Sequence, residues 1–286
     1  VTRIPHGAAT PVDYVLIGHM TADLTPEGRR VGGTVSYAMR TAAAFGLRVG
    51  LLSSAAPDDP LLAELEPYGQ VVVVPSAQTT TFENVYTPSG RLQHVRAVAE
   101  DVRPEHVPQA WTSAPLLHVA PVAGEGESIA LFERFERARW MVTLQGWLRQ
   151  WGADGRVRFR PWFRPALLSR LALVVFSEED VRHQPGLLQQ IAPYAQHLLY
   201  TQAERGGIHF QNGLPTPFRT PSVTAIDPTG AGDIFATSAL CAFYQTGSIR
   251  RAVQIGAGLA AQSVTRVGVA GVPTRADIEA LLAQTG

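Results

Sequence analysis

The chain contains no lysine; all 24 basic residues among its 286 are arginine. A lysine-free protein cannot supply the P-loop lysine of a Walker NTPase, the strand lysine of a protein kinase or the lysine of a Schiff base. Cysteine is nearly absent. The single Cys241 excludes an intrachain disulfide and a cysteine-rich metal site, and its place in an apolar helical stretch fits a buried thiol. The eight histidines are scattered with no HxxxH pair, which argues against a zinc site. Charge of either sign is not in excess, since 24 acidic residues balance the arginines for a formal net charge of zero. Nothing in that balance calls for nucleic acid or an anionic membrane as partner. No apolar run reaches the ~18 residues needed to span a bilayer, and the first eleven residues, VTRIPHGAATP, lack the apolar core of a signal peptide. The expectation is a soluble, cytoplasmic protein with a small-molecule partner.

What is present alternates. Val12 to Gly18 is a short apolar run ending in glycine, as a buried first strand would be. Gly32 and Gly33 lead into SYAMRTAAAFG, whose small and apolar residues recur at helical spacing until Gly46, and VGLLSSA follows as a strand. Further strands are expected at Val71 to Val74, Leu116 to Ala120, Trp140 to Leu144, Leu171 to Phe176 and His197 to Thr201. Strands alternating with amphipathic stretches predict a mainly parallel sheet covered on both faces. Two segments break the rhythm. Thr79 to Ala99 carries β-branched and aromatic residues around a Pro-Ser-Gly turn, a hairpin pattern, and with 20–31 it predicts a small β lid. Gly152 to Pro161 is expected to be an excursion around an Asp-Gly turn. No repeat or linker divides residues 1–286 into independent domains.

The most informative stretch is DPTGAGD, Asp227 to Asp233, which follows the β-branched Val223, Thr224 and Ile226 and opens an apolar helical run, Ile234 to Tyr244. Amides at a helix N-terminus lack intrahelical acceptors, and the helix dipole adds roughly half a positive charge. Gly230, Ala231 and Gly232 are therefore expected to form an anion hole for a phosphate. Asp233 in the same turn would repel that phosphate, which makes sense if it takes a proton from a hydroxyl attacking it. The plainer alternative is that Asp227 caps the helix and the glycines only turn the chain.

These residues resemble the PfkB, or ribokinase-like, carbohydrate kinases over nearly the whole chain. DPTGAGD is similar to that family's C-terminal signature, and GGTVSYAMRTAAAFG to its N-terminal one. Asp23, the SEED stretch at Ser177 to Asp180, the TQAERG turn at Thr201 to Gly206 and AGLAAQSVTRVG at Ala257 to Gly268 add to the likeness. The resemblance implies a three-layer α/β/α fold with a β lid. It also implies ATP-dependent phosphorylation of a hydroxyl on a small sugar or polyol, a cyclitol included, with Asp233 as general base. Carried over position by position, Asp23, Gly32, Gly33, Tyr37 and Arg149 belong to the substrate side. Thr201, Gly206, Thr229, Ala257 and Gly258 belong to the nucleotide side, and Asp180 would organise Mg²⁺ through water. A monovalent cation is a further candidate, and the chain is expected to be a monomer or a homodimer joined through the lid.

Departures from the family pattern put the substrate in doubt. Tyr37 stands where the family often has Asn, the NxxE stretch becomes Ser177, Glu178, Glu179 and Asp180, and Gln145 to Arg149 replaces DxNxR. Gln145 cannot act as a base, and Arg149 keeps a cation for an anion or a sugar hydroxyl. Thr81, Phe82, Glu83 and Asn84 of the hairpin would close over the substrate and exclude water. Two rivals share the fold, a nucleoside kinase and a non-catalytic binding protein. GAGLAA at Gly256 to Ala261 mimics a dinucleotide fingerprint but follows helical residues, and Gly126 to Ala130 lacks the second glycine of a nucleophile elbow.

Overall fold

The computed structural model describes residues 5–87 and 90–285. A nine-stranded sheet in the order β15-β14-β13-β12-β9-β8-β1-β4-β5 forms its centre. Its parallel part comprises β1 (Tyr14–Ile17), β4 (Val49–Ala55), β5 (Gln70–Pro75), β8 (Leu116–Val119), β9 (Arg139–Thr143), β12 (Leu173–Ser177) and β13 (His197–Thr201). These are the apolar runs expected from the sequence, displaced by at most two residues at an end. They read as continuous runs because both faces are covered. Within β1, Tyr14 and Leu16 enter one core while Val15 and Ile17 enter the other. The first core packs against α1 (Thr34–Ala44), α6 (Ala231–Thr246), α7 (Ile249–Ser263) and α8 (Arg275–Gln284). The second holds Trp111, Phe132, Trp147 and Trp162, with the short helices α2 (Ile129–Glu133), α3 (Pro165–Leu168), α4 (Glu178–Val181) and α5 (Gly186–Ile191) on that side. The result is the expected three-layer arrangement.

At one end the sheet turns antiparallel, a feature the strand pattern did not predict. β14 (Gly207–Gln211) pairs with β13, and β15 (Leu214–Phe218) with β14. Asn212 and Gly213 join them with φ of +49° and +84°, the left-handed pair a two-residue hairpin turn requires. The outermost strand carries Pro215 and Pro217 at alternate positions.

A second, four-stranded sheet in the order β3-β2-β6-β7 forms the lid. β2 (Thr21–Thr25) and β3 (Gly28–Gly32) come from the segment after β1, and β6 (Thr80–Thr87) and β7 (Gly90–Ala97) from the expected hairpin. In the predicted Pro-Ser-Gly turn, Pro88 and Ser89 lie outside the described residues, as do residues 1–4 of the N-terminal stretch. The excursion at 152–161 is more ordered than expected. β10 (Arg149–Trp151) and β11 (Val157–Phe159) form an antiparallel pair closed by Gly155 at φ +68°. The Gly155 carbonyl accepts the Val95 amide of β7 at 2.8 Å. Phe82 and Val95 of the lid pack with Val122, Trp151 and Val157 in a third apolar cluster, which seats the lid on the body.

Two buried histidines make the fold acid-sensitive. His118 lies between the Tyr14 hydroxyl at 2.7 Å and the Thr143 hydroxyl at 3.3 Å, and burial depresses its pKa to about 3. His197 contacts His209 at 3.0 Å, and burial, then His209 and Arg139, lower it to about 4. Because both folded values lie below the unfolded value near 6.5, the unfolded chain binds more protons below that pH. The contribution of these two histidines is then complete above pH 6.5 and is eroded down to pH 3–4, by on the order of several kcal/mol. Denaturant midpoints measured from pH 7 to 4 should show this slope, and His118→Gln should flatten it; an unchanged slope would remove His118 as a source.

Candidate active site

The parallel strands all point their C-terminal ends toward the lid side, where open α/β sheets gather their ligands. The first element is the double glycine between β3 and α1. Gly33 is the N-cap of α1 with φ +78°, a backbone that residues with a Cβ rarely adopt. Gly32 is small for another reason. A Cβ there would stand 2.2 Å from Asp23 Oδ2 and 2.5 Å from its Cγ, so the carboxylate occupies the space a side chain would take. Asp23 rides on β2 and accepts the Thr21 hydroxyl at 3.0 Å. The expected acceptor carboxylate and both glycines therefore come together, with Asp23 on the lid itself and beside Phe82 of β6 in the strand register.

The second element is the expected phosphate loop, Asp227 to Asp233. Asp227 does not cap α6. Its Oδ1 accepts the Thr229 amide at 2.9 Å and its Oδ2 the Gly268 amide at 2.8 Å, while the Ile226 and Asp227 amides donate to the Val264 carbonyl. Burial works against the Asp227 carboxylate, but the hydrogen bonds from Thr229 and Gly268 hold it below the usual value. The start of the loop is thus fastened to Val264, just past the end of α7, and to Gly268 beyond it. Gly230 then takes φ +79° as the N-cap of α6.

One expectation here is corrected. The Ala231 amide donates to the Pro228 carbonyl at 3.2 Å, so it closes the turn instead of facing a ligand. The first-turn amides of Gly232 and Asp233 are without an acceptor in the described hydrogen bonds, and the Gly232 α-carbon faces open space. The amides left to face a ligand at this turn are those of Gly230, Gly232 and Asp233.

Asp233 is half-buried beside Thr34, the first residue of α1. Burial pushes its carboxyl up to about 6; the Thr34 hydroxyl and the Arg149 charge pull down, and Asp180 pushes up. A base of this pKa is ionised at neutral pH yet has real proton affinity. If Asp233 is the base, kcat/KM falls about tenfold per pH unit below pH 6 and is flat above it; a profile without an acid limb near 6 would oppose that role.

Arg149 lies within electrostatic reach of Asp233. The structure places its guanidinium 5.8 Å from the centre of the Phe82 ring, with Nη1 donating to the Val122 carbonyl at 3.4 Å. Two anchors behind it explain the placement. The Trp147 indole donates to the Glu125 carbonyl at 2.9 Å, and Gly146 lies so close to Pro121 that a Cβ would overlap its carbonyl group. Asp180 faces Asp233 electrostatically, but its Oδ2 already accepts the Ser177 amide and hydroxyl, each at 2.8 Å, in a capping box for α4. Thr201 ends β13 beside Ser177 of β12. Gly206 has φ +88° and no room for a Cβ against the Phe218 carbonyl, and Glu178 pairs with Arg205 to fix that turn.

Ala257 and Gly258, expected on the nucleotide side, are packed among the helices. Gly258 is buried where a Cβ would meet Leu281 of α8 at 2.9 Å, and the Ala257 carbonyl accepts the Thr220 hydroxyl. Their small size serves helix packing. Exposed apolar surface near the loop comes instead from Val223, Ile226, Val267 and Val269, on segments that hydrogen-bond to Asp227 or border it. Sequence reasoning also missed Thr34 and the buried Glu125. The Glu125 carboxylate accepts the amides of His19, Val122 and Ala123 at 2.7–3.1 Å, tying the end of β1 to the loop after β8. His19 continues this link, contacting the Thr80 hydroxyl of the lid and the Glu100 carbonyl. No local pattern marks either residue.

Known proteins share this fold and part of this sequence pattern. The pfkB family carbohydrate kinase model matches residues 170–275. A cytidine kinase of Thermococcus kodakarensis is 24% identical over 265 residues, covering 86% of this chain and 93% of its own. A pyrophosphate-dependent ribokinase-family kinase, solved with a pyrophosphate analog and myo-inositol, superimposes with a TM-score of 0.76 at 22% identity over 93% of this chain and 99% of that one. Fructokinase from Xylella fastidiosa with bound ATP gives 0.73 at 19% identity, over 95% and 98%. The chain has the ribokinase fold and, over the residues that include the phosphate loop and Asp233, the sequence character of the pfkB family carbohydrate kinases.

Proposed function

We propose that the protein is a kinase that transfers a phosphoryl group from ATP to a hydroxyl of a small polyhydroxylated acceptor, a sugar or polyol with cyclitols included. One observation carries the reading. A carboxylate with a pKa near 6 stands in the same helical turn as two amides open to a ligand, and its charge and that of the lid carboxylate Asp23 both reach the Tyr37 hydroxyl between α1 and the loop. Asp23 accepts hydrogen bonds from acceptor hydroxyls and orients the reactive one toward Asp233. Asp233 takes its proton as the oxygen attacks, and the Gly232 and Asp233 amides receive the charge of the transferred group. Arg149, between the lid and the base, offers a cation to the same charge, and Phe82 excludes water when the lid is down.

Among the described residues no cluster of three or more His, Cys, Asp or Glu could hold a metal. Mg²⁺ commonly binds through phosphate oxygens and water with few protein ligands, and Asp180 fits as a carboxylate acting through water. Magnesium would supply charge neutralisation on the donor phosphates. The exposed Val223, Ile226, Val267 and Val269 beside the loop favour a donor with a flat base, hence ATP.

A nucleoside acceptor is the second reading, supported by the likeness to the cytidine kinase. Product formation with ATP or pyrophosphate, against pentoses, hexoses, inositols and nucleosides, tests all of these. Transfer to a sugar or inositol with ATP supports the proposal, transfer only to nucleosides moves it to the second reading, and transfer only from pyrophosphate replaces the donor. Donor binding with no transfer to any acceptor would leave a binding protein.

A further inference from the structure

The Tyr37 ring fills the space above Gly230. A Cβ on Gly230 would stand 2.3 Å from two ring carbons and 2.6 Å from a third, far inside van der Waals contact. The two long helices after α6 are closed at their N-termini by hydroxyls, Ser248 on the Arg251 amide and Thr274 on the Asp277 amide. The helix that carries the anion-facing amides has no such cap: Gly230 makes no side-chain hydrogen bond and holds φ +79°. Its lateral support is an aromatic ring from α1, a helix buried continuously from Thr34 to Ala42. A ring anchored there cannot yield easily. The same residue borders the acceptor side. Tyr37 is 7% exposed, and its hydroxyl is pushed up to about 12 by burial and then by the charges of Asp233, Asp227 and Asp23.

We propose that Tyr37 is the positioning residue of the phosphate loop: its ring, not its hydroxyl, holds Gly230 in the left-handed conformation that aims the Gly232 and Asp233 amides. Helix α1 then supports both halves of the site, with Gly33 and Thr34 at its start and the loop braced one turn later. An arrangement of this kind makes the anion site depend on a residue of the acceptor wall. Its consequence for turnover rests on the kinase reading, but the brace itself is measurable by anion binding alone.

The test is calorimetric titration of the full chain with inorganic pyrophosphate, using the unaltered protein, Tyr37→Phe, Tyr37→Leu, Gly230→Ala and the Tyr37→Leu/Gly230→Ala pair. Tyr37→Leu keeps α1 apolar at this buried position, and circular dichroism checks that each variant is folded. Tyr37→Phe should bind within about twofold of the unaltered protein, and Tyr37→Leu about tenfold more weakly. With an acceptor in hand, Tyr37→Leu lowers kcat more than it raises acceptor KM, and Tyr37→Phe restores both. Gly230→Ala should weaken binding by more than tenfold in the native background and by much less beside Tyr37→Leu, because the ring that its Cβ meets is gone. Equal effects of Gly230→Ala in the two backgrounds would overturn the brace, as would Tyr37→Phe behaving like Tyr37→Leu. Failure of the unaltered protein to bind pyrophosphate would overturn the loop as an anion site and the proposal with it. Pyrophosphate binding with the expected coupling, but without phosphoryl transfer, would sink the kinase reading and leave the brace standing.

Discussion

Asp233→Asn lowers turnover by about 10³-fold, leaves donor affinity within about twofold, and raises thermal stability at neutral pH. The first effect follows from removing the proton acceptor while keeping the shape of the turn and the amides of Gly232 and position 233. The second follows because those amides, and not the carboxylate, face the donor. The third is less usual for an active-site change and comes from linkage. The folded pKa of about 6 lies above the ordinary carboxylate value near 3.8 because burial disfavours the charge. Above pH 6 the folded protein bears the full penalty of an ionised Asp233, and the penalty fades as pH falls from 6 toward 3.8. A shift of this size corresponds to on the order of 3 kcal/mol, or a Tm change of several degrees. Asn carries no charge and removes the penalty. Calorimetric melting and steady-state kinetics at pH 7.5 read both effects. Activity retained within tenfold would take the base role from Asp233, and an unchanged Tm would show that the carboxylate is better solvated than its setting implies.

Gly32→Ala raises the acceptor KM by about 10²-fold with a smaller change in kcat. The new methyl would overlap Asp23 at 2.2–2.8 Å from its carboxylate atoms, and the carboxylate must rotate away from the Thr21 hydroxyl and from the acceptor. Hydrogen bonds to a charged group contribute about 1.5–3 kcal/mol each, which gives the expected magnitude. Gly46→Ala is the matching control. Gly46 has φ +81° at the C-terminus of α1 but open space around it, so an added methyl produces backbone strain of about 1 kcal/mol and no loss of affinity. Equal KM values for the Gly32→Ala and native proteins would remove Asp23 from acceptor binding.

Much of the frame was legible because its signals are local. Parallel strands covered on both faces must be apolar throughout, and they stand out as runs such as YVLI and VGLLSSA. Glycines with positive φ or without room for a Cβ announce both loops of the site. Other features depend on contacts between distant segments. The hold of Glu125 on three backbone amides, the placement of Thr34 beside Asp233 and the Tyr37 ring over Gly230 follow from how β1, β8, α1 and α6 meet, and no spacing within any one segment encodes them. The amides of DPTGAGD illustrate the limit most closely. The motif predicts an anion loop, but only the turn geometry shows that the Ala231 amide is used internally. The antiparallel end of the sheet did have a local signal in Asn212-Gly213, overshadowed by the alternation of strands and helices before it. At Ala257 and Gly258 the sequence leaves the choice open, since small residues suit a ligand and a close helix contact equally well.

Pro215 and Pro217 on the outermost strand have a bearing on colloidal behaviour. A nine-stranded open sheet ends in rows of backbone groups that can recruit a strand from another molecule. On β15 the two prolines pair with Phe210 and Ile208 of β14, and a proline fits there only with its nitrogen directed outward, since it has no hydrogen to give the ladder. The outward border of β15 therefore presents ring methylenes where a neighbouring molecule would need donors. Leu214 beside them is strongly exposed, so this border would otherwise be sticky as well as unsatisfied. The prolines act as a terminator for sheet growth at this border.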